Sequence, residues 1–255
     1  MSRFDPIRKS HYDAVAAADT WSDWIFYLSA ALSLLLLFVN QVNYPVAFDW
    51  IQYLFLALVV VLFAVGITLR LYLVPRAEGM RRQDFFSSAM NAGLTHQRTD
   101  GYYNNDVADP SHRIAAQVLE NSHFSKAILL RMLRTERVKL SVYLLVWVLC
   151  LAYRRSDLGW IVVATQTVFG EQLFSKWLRM EWLRRRCEET FDRVFALFQA
   201  GGRSSHFDAT AMDAVTAYEA AKANAGIVLS STVFNRMNSH LSVEWDHIKE
   251  VLKIK

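Results

Sequence analysis

The sequence predicts an all-α integral membrane protein, with four transmembrane helices in two hairpins plus a cytoplasmic helical bundle. Hydrophobic residues make up 53% of the 255 positions, and the mean hydropathy is +0.14 although 20% of the residues are charged. The apolar residues must therefore be concentrated in blocks. Gly (9) and Pro (4) are scarce, which disfavours β-sandwiches and β-barrels because these folds need many turns.

The first two apolar blocks predict one helical hairpin. Trp24–Val39 carries no charged residue, and Ile51–Leu69, the core of the second block, carries none over 19 residues. At 1.5 Å per residue the second core spans about 28 Å, close to the hydrocarbon thickness of a bilayer. The link at 40–49 contains no Lys or Arg, which is typical of a short loop on the outer side of a membrane.

Two shorter apolar blocks predict a second hairpin. Leu140–Tyr153 has 14 residues, and the block that starts at Leu158 is uncharged as far as Gly170. Both are shorter than the roughly 20 residues of a typical span, so a buried soluble hairpin is the alternative. If the two blocks do span, Lys and Arg at their ends and local thinning of the bilayer complete them.

Basic residues are distributed unequally between the two sides of the predicted spans. They follow spans two and four, precede span three and occur at the N-terminus, whereas the opposite side carries only Arg154 and Arg155. This asymmetry predicts that both termini are cytoplasmic. The predicted organisation is an N-terminal amphipathic helix with the first hairpin at 1–75, a cytoplasmic helical region at 76–139, the second hairpin at 140–175, and a cytoplasmic stalk with C-terminal helices at 176–255.

Periodicity and capping residues predict the helices of the water-facing parts. These are Arg81–His96, a helix capped by Ser111 that continues through Arg137 towards span three, a helix over Glu171–Gln199, a helix over Ala209–Ala225 capped by Asp208, and a last helix that opens at Ser242.

Common catalytic and metal-binding motifs are absent from the sequence. It contains no P-loop, no dinucleotide-binding glycine motif and no nucleophile elbow, and none of its seven His residues forms an i, i+4 pair with another. We therefore predict no catalytic residue, no metal site and no cofactor. A membrane enzyme acting on lipid or phosphate substrates is an alternative, with His112, His123, Asp106 and Asp109 as its candidate residues.

One group of residues has the chemistry of a nucleotide site. Aromatic rings stack on bases, amides bind base edges, and guanidinium groups bind phosphate. The predicted ligand-binding residues are Tyr102, Tyr103, Asn104, Asn105, Arg113, Lys126, Arg131 and Arg134. A turn with packed tyrosines is the alternative interpretation.

A polar strip follows the fourth apolar block. Thr167 and Glu171 are spaced i, i+4, and Gln166 and Gly170 lie one residue round on the same helix. Polar groups inside a bilayer usually face partners or water, so the strip is predicted to line a pore made by several subunits. The alternative is that Glu171 already lies at the cytoplasmic interface. The run at 184–186 is three arginines, which indicates either a cytoplasmic stop signal near lipid headgroups or a phosphate-binding patch.

Three features carry a resemblance to known proteins. The lead Ile7–Thr20 runs into the hairpin at Trp24, G-Y-Y-N-N at Gly101–Asn105 is followed by E-N-S-H-F-S at Glu120–Ser125, and E-E-T-F-D-R-V-F at Glu188–Phe195 follows the last span. This layout resembles the SLATT and SMODS-associated four-transmembrane-helix effector families of bacterial anti-phage systems. The resemblance implies a pore-forming effector of the bacterial inner membrane, gated by a nucleotide or oligonucleotide signal from a partner nucleotidyltransferase. It carries over no functional residue.

Together these observations predict a homo-oligomeric membrane channel whose state a cytoplasmic nucleotide controls. Four spans per chain enclose no wide channel on their own, which is why an oligomer is implied. The alternative is a membrane-anchored scaffold that recruits a soluble partner through Ala209–Lys255.

Overall fold

The computed structural model of the protein describes residues 5–97, 99, 102–103, 107–152, 171–201 and 204–254. It is 87% helical and the described residues form no strand, which confirms the predicted all-α class. The α-helices of this described part are α1 (Asp13–Phe38), α2 (Pro45–Thr68), α3 (Val74–Met90), α4 (Pro110–Ala152), α5 (Lys176–Ala200), α6 (Ser205–Ala225) and α7 (Ser231–Leu252).

Three π-helical turns interrupt the regular α-helical pattern. They occupy Arg8–Tyr12, Leu69–Leu73 and Glu171–Ser175, and each runs directly into the α-helix that follows. Because the second of these turns joins α2 to α3, the chain is one continuous helix over Pro45–Met90. Among the described helices, this is the one that is long and apolar enough to cross a membrane, judged by length and composition.

The chain divides into two compact units, and each is built from several stretches of sequence. The first unit comprises Met1–Asp13, Val74–Leu133 and Arg179–Lys255, and the second comprises Ala14–Leu73 and Arg134–Leu178. The first unit thus contains α3, α6, α7, the first part of α4 and most of α5. The second unit contains nearly all of α1, together with α2 and the last part of α4.

The first unit has a conventional apolar core. Trp245 of α7 is fully buried and packs in one cluster with Ile114 and Leu119 of α4, Val194 of α5 and Phe207 of α6. A smaller cluster includes Leu129, Leu183, Cys187, Tyr218 and Ala221. Burial of these side chains stabilises the unit by about 25 cal/mol for each Å² of apolar surface removed from water.

The second unit exposes many of its large apolar side chains along α1, α2 and the last part of α4. Its buried residues include Leu32 and Leu140 as well as Ser22 and Ser29 of α1. Its exposed large apolar residues include Trp21, Trp24, Leu28, Phe38, Trp50, Tyr53, Leu56, Val60, Phe63, Leu71, Val138 and Leu145.

The helix predicted over Arg81–His96 is displaced along the chain. In the structure α3 begins at Val74 and ends at Met90, because Asn91 takes a left-handed conformation with φ of 49°. The hydroxyl of Ser87 accepts a hydrogen bond from the Leu94 amide at 3.1 Å, so the chain folds back across the last turn. The residues after Asn91 are therefore not helical.

Helix α4 begins one residue before the predicted cap, Ser111. Pro110 occupies its first position, where a missing N–H costs nothing, and the Asp109 carboxylate accepts from the His112 amide at 3.1 Å. The helix then continues unbroken to Ala152. This confirms the prediction that the helix beginning near Ser111 runs into the third apolar block.

The caps of α6 and α7 also lie before the predicted ones. The Ser204 hydroxyl accepts from the Phe207 amide at 3.2 Å, so Ser204 and not Asp208 caps α6. The Ser230 hydroxyl accepts from the Val233 amide at 3.4 Å, so α7 opens well before Ser242. Each serine satisfies an amide that has no partner inside its own helix.

Candidate functional site

Arg81 lies at the centre of a buried polar cluster in the first unit. Its Nη2 donates to the Asp5 carboxylate at 2.7 Å. Its guanidinium carbon lies 4.5 Å from the ring centroid of Tyr102 and 5.4 Å from that of Tyr12. Such cation–π contacts stabilise a charge that burial would otherwise disfavour. Helix α3 thus connects the N-terminal segment to the predicted ligand-binding tyrosines.

Lys222 of α6 forms the second cation of this region. Its Nζ lies 2.6 Å from Glu78 Oε2 and 3.3 Å from Glu219 Oε1. Burial lowers the pKa of Lys222, but Glu78 and Glu219 outweigh it and hold that pKa well above its ordinary value. Glu78 also accepts from the Tyr12 hydroxyl at 2.9 Å. Burial and the neighbouring Glu78 raise the pKa of Tyr12, so this hydroxyl stays a donor.

The two predicted ligand-binding tyrosines contact each other. Their ring centroids lie 4.9 Å apart, and Tyr103 packs edge-on against Phe85 at 5.8 Å. The Tyr103 hydroxyl and Nη1 of Arg81 are both buried and have no hydrogen-bond partner among the described residues. Burial raises the pKa of Tyr103, so the hydroxyl is neutral. The cluster therefore offers two buried donors to a ligand acceptor.

The balance of positive and negative charge in this cluster limits which ligands it can bind. Among the described residues, the cations Arg81 and Lys222 face the carboxylates of Asp5, Glu78 and Glu219. No excess of positive charge is left over for a polyphosphate. The arrangement suits a neutral hydrogen-bond acceptor beside aromatic rings better than it suits a phosphate chain.

Arg113 has a different set of partners. Its Nε donates to the Val107 carbonyl at 2.6 Å, and Nη1 donates to the carbonyls of Ser88 and Ala89 at 3.3 Å each. A further bond from Nη2 reaches the Ala108 carbonyl at 3.3 Å. The side chain thus satisfies the last carbonyls of α3 and joins them to the start of α4.

The other predicted ligand cations make a contact of their own or are exposed. Lys126 Nζ lies 3.2 Å from the ring centroid of Phe191, and burial lowers its pKa. Arg131 and Arg134 are exposed. Asn104 and Asn105 lie outside the described residues. The structure thus brings together Tyr102 and Tyr103 from the predicted set, while the role of the remaining members stays a prediction.

Sequence reasoning missed the charged partners of the tyrosines. The sequence pattern assigns Arg81 only to the predicted helix over Arg81–His96, and it assigns no role to Glu78, Tyr12 or Lys222. The sequence does contain a pattern that predicts a charged partner for Lys222. It lies four residues after Tyr218 and three before Ala225 on the buried face of α6, and a lysine on an apolar helix face requires a partner.

Three of the residues proposed for the alternative enzyme, His112, His123 and Asp109, contact other side chains of the first unit. His112 Nδ1 lies 2.8 Å from Asp109 Oδ2, and the His112 ring stacks on Phe207 at 4.1 Å. The buried His123 lies between Phe124 and Phe191. Asp106 lies outside the described residues. In the part of the chain that the structure describes, no group of three His, Cys, Asp or Glu side chains is placed to hold a metal ion.

The predicted pore strip falls mostly outside the described part of the chain. This applies to Gln166, Thr167 and Gly170, and the side chain of Glu171 is not described either. The backbone of Glu171 begins the π-helical turn that leads into α5. The pore-lining role therefore stays a prediction.

The run at 184–186 is largely neutralised within its own helix. Arg184 pairs with Glu181 and Glu188, and Arg186 pairs with Glu189 at 2.8 Å. These i, i+3 and i, i+4 pairs stabilise a helix modestly. They also reduce the charge that the run presents to a phosphate.

Comparison with known proteins adds no relative to this description. No protein-family model matches the chain, and neither the curated proteins nor the solved structures include a match to it.

Proposed function

We propose that the protein is an integral membrane effector. In this proposal the second unit lies in the lipid bilayer as two hairpins of transmembrane helices, and the first unit lies in the cytoplasm. The observation that carries the proposal is the outward-facing apolar surface of the second unit, which includes Trp50, Phe63 and Leu145. Contiguous apolar surfaces of this extent mark contact with a membrane or a partner.

The interior of the second unit supports the same proposal. Ser22 and Ser29 are buried on α1, and the Ser29 hydroxyl donates to the Ile25 carbonyl at 2.7 Å. Helices in membranes pack through small residues because lipid offers large apolar side chains as good an environment as a neighbouring helix does. Leu32 and Leu140 are also buried in this unit, whereas Trp50 and Phe63, which a water-soluble unit would place inside, are exposed.

The proposed spans follow from helix length and apolar exposure. The continuous helix Pro45–Met90 supplies the strongest candidate, with only 6% of its most apolar stretch buried. Trp24–Phe38 of α1 and the last part of α4 supply two more. The fourth is the apolar block from Leu158 to Gly170, which lies outside the described residues. Both termini are cytoplasmic in this arrangement, in agreement with the distribution of Lys and Arg.

The proposed activity is a homo-oligomeric channel or pore that a cytoplasmic nucleotide or oligonucleotide controls. Two things support it: the resemblance to anti-phage effectors, and the tyrosine pair Tyr102–Tyr103 beside Arg81, whose rings and buried donors suit the base of a nucleotide rather than its phosphates. Arg81 also contacts Tyr12 and Asp5, which precede α1. A ligand that displaced Tyr102 would therefore disturb the N-terminal lead of the first proposed span. Control of this kind requires that the ligand bind one state more tightly than the other.

Ion flux from liposomes that contain the purified protein tests this activity. We expect flux to change when cyclic or linear oligonucleotides are added on the cytoplasmic side. Tyr102→Ala should abolish the response, because it removes the ring that covers Arg81. Tyr44→Ala, an exposed tyrosine in the link between α1 and α2, should leave it intact. Glu171→Gln should alter the ion selectivity of the flux if this residue lines the pore.

A negative result in this flux experiment favours the alternative function, a membrane-anchored scaffold. No flux under any condition, from protein shown to be folded and oligomeric, would contradict the channel. The membrane-anchored scaffold, which recruits a soluble partner through its C-terminal helices, would then account for the same membrane unit.

A further inference from the structure

One face of α4 in the second unit presents a continuous apolar stripe. Val138, Val142, Leu145 and Leu149 are 65%, 55%, 60% and 58% exposed. Their spacing of four, three and four residues puts them on a single side of the helix. Over these residues the helix rises about 17 Å, roughly the length available to one leaflet of a bilayer. The stripe is thus long enough to contact an acyl chain along its length.

Two arginines extend this face at its N-terminal end. Arg134 lies four residues before Val138 on the same side of α4, and Arg131 lies three residues earlier again. Both are exposed. A long arginine side chain at the end of an apolar stripe reaches the level of the lipid headgroups while its aliphatic part covers apolar surface.

These arginines differ from the neighbouring lysines, which pair with carboxylates among the described residues. Lys139 pairs with Glu136 at 3.0 Å, and Lys176 pairs with Asp19 and Asp23 at 3.3 Å each. No ion pair within the described part of the chain involves Arg131 or Arg134. Their charge is therefore available to a partner outside the chain.

We propose that Arg131 and Arg134 bind the phosphate of an anionic phospholipid whose acyl chains lie against the stripe at Val138, Val142, Leu145 and Leu149. The inference rests on the proposed function, since it requires the second unit to lie in a bilayer. A guanidinium donates two parallel hydrogen bonds to a phosphate, which a lysine does not. In this proposal Arg131 and Arg134 bind a lipid, whereas the sequence pattern predicts that they bind a nucleotide.

Displacement of a fluorescent phosphatidylglycerol from the full-length protein in detergent micelles tests this site. We expect unlabelled phosphatidylglycerol to compete well and phosphatidylcholine poorly. The double variant Arg131→Gln with Arg134→Gln should weaken phosphatidylglycerol binding by about fivefold for each arginine removed. The matched control is Arg193→Gln with Arg236→Gln, two exposed arginines of α5 and α7. It removes the same charge and should bind phosphatidylglycerol as the wild type does.

Two outcomes would overturn the lipid site. In the first, the two lipids compete equally, or the double variant binds phosphatidylglycerol as the wild type does. In the second, millimolar ATP or pyrophosphate displaces the labelled lipid as effectively as phosphatidylglycerol, in which case the arginines serve a soluble phosphate compound.

Alkaline carbonate treatment of membranes separates this inference from the proposed function. Protein that stays in the membrane pellet but shows no preference for phosphatidylglycerol contradicts the lipid site alone. Protein that is released by carbonate contradicts the membrane placement of the second unit, and the lipid site with it. Retention together with a preference that depends on the two arginines supports both.

Discussion

Lys222 joins three segments of the first unit through a single ammonium group. It pairs with Glu78 of α3 and Glu219 of its own helix, and Glu78 in turn accepts from the Tyr12 hydroxyl. The side chains of Lys222 and Glu78 are both largely buried. Removing one partner of such a pair is costly because the other charge is left in a poorly solvated place.

We expect Lys222→Met to destabilise the protein by about 3–5 kcal/mol. For a chain of this size, that lowers the unfolding midpoint by roughly 10 °C, measurable by circular dichroism in detergent micelles. The control is Lys249→Met, which breaks the pair with the exposed Asp246 and should cost less than about 1 kcal/mol. Adding Glu78→Leu to Lys222→Met should restore much of the loss. A midpoint for Lys222→Met within a degree of the wild type would contradict the structural role of the pair.

The same cluster shows how far the candidate site follows from sequence. The contact between Tyr102 and Tyr103 is local and could be anticipated from adjacent aromatic residues. The positions of Arg81 and Lys222 depend on α3 and α6 packing together, far apart in sequence, and no short pattern encodes this contact. Arg113 shows the reverse problem, because its basic side chain suggested a ligand while its donors satisfy backbone carbonyls of the fold.

At the scale of the helices, periodicity predicts their presence better than their ends. The hydrophobic pattern predicted α4, α5 and α6 within the described part of the chain, and the structure has them. The ends are set by single hydrogen bonds, such as those of Ser204 and Ser230 to the amides three residues on. Several Ser and Asp residues lie near each helix start, and all are able to cap, so the backbone path decides which one does.

Packing of α7 on α4 and α5 places a histidine in an acid-sensitive position. His123 of α4 is buried, with Nε2 at 3.3 Å from Glu244 of α7 and its ring against Phe191 of α5. Burial lowers the pKa of His123, Lys126 lowers it further, and Glu244 opposes both. The other titratable groups around these charges are His240 of α7, which lies beside Glu244, and Asp192 and Glu188 of α5, which face Lys126.

The sign of the resulting pH dependence follows from this lowered pKa. His123 binds a proton at a higher pH in the unfolded chain than in the folded chain. The neutral His123 therefore contributes its full share of the folding stability above the unfolded pKa near 6.5, and this contribution is lost as pH falls through the lower folded pKa. We expect the unfolding midpoint of the wild type to fall more between pH 7.5 and 5.5 than that of His123→Phe. The exposed His247→Phe should behave as the wild type does. If the unfolding midpoints of the wild type and His123→Phe fall equally over this pH range, His123 is not the source of the acid sensitivity.

At the scale of the whole molecule, the two units differ in how much large apolar surface they expose. The first unit buries residues such as Trp245 and Leu241, while the second exposes Trp50 and Phe63. Composition revealed that apolar residues occur in blocks, but it does not distinguish a buried hairpin from a membrane hairpin. The exposure of Trp50 and Phe63 adds an observation in three dimensions, which favours contact of α2 with a membrane or a partner.

Cysteine labelling in intact cells tests the proposed topology of the whole chain. Single cysteines replace Asn43, Ser156 or Ser239 in a background where Cys150 and Cys187 are alanine. With four spans, a membrane-impermeant maleimide labels Asn43→Cys and Ser156→Cys from outside, because both follow an odd number of spans. It labels Ser239→Cys, which lies on the exposed side of α7, only after permeabilisation.

If Asn43→Cys is labelled and Ser156→Cys is not, only the first hairpin spans the membrane. The second hairpin then lies outside the bilayer on the cytoplasmic side, where the reagent does not reach its link. Labelling of Ser239→Cys in intact cells would reverse the proposed orientation.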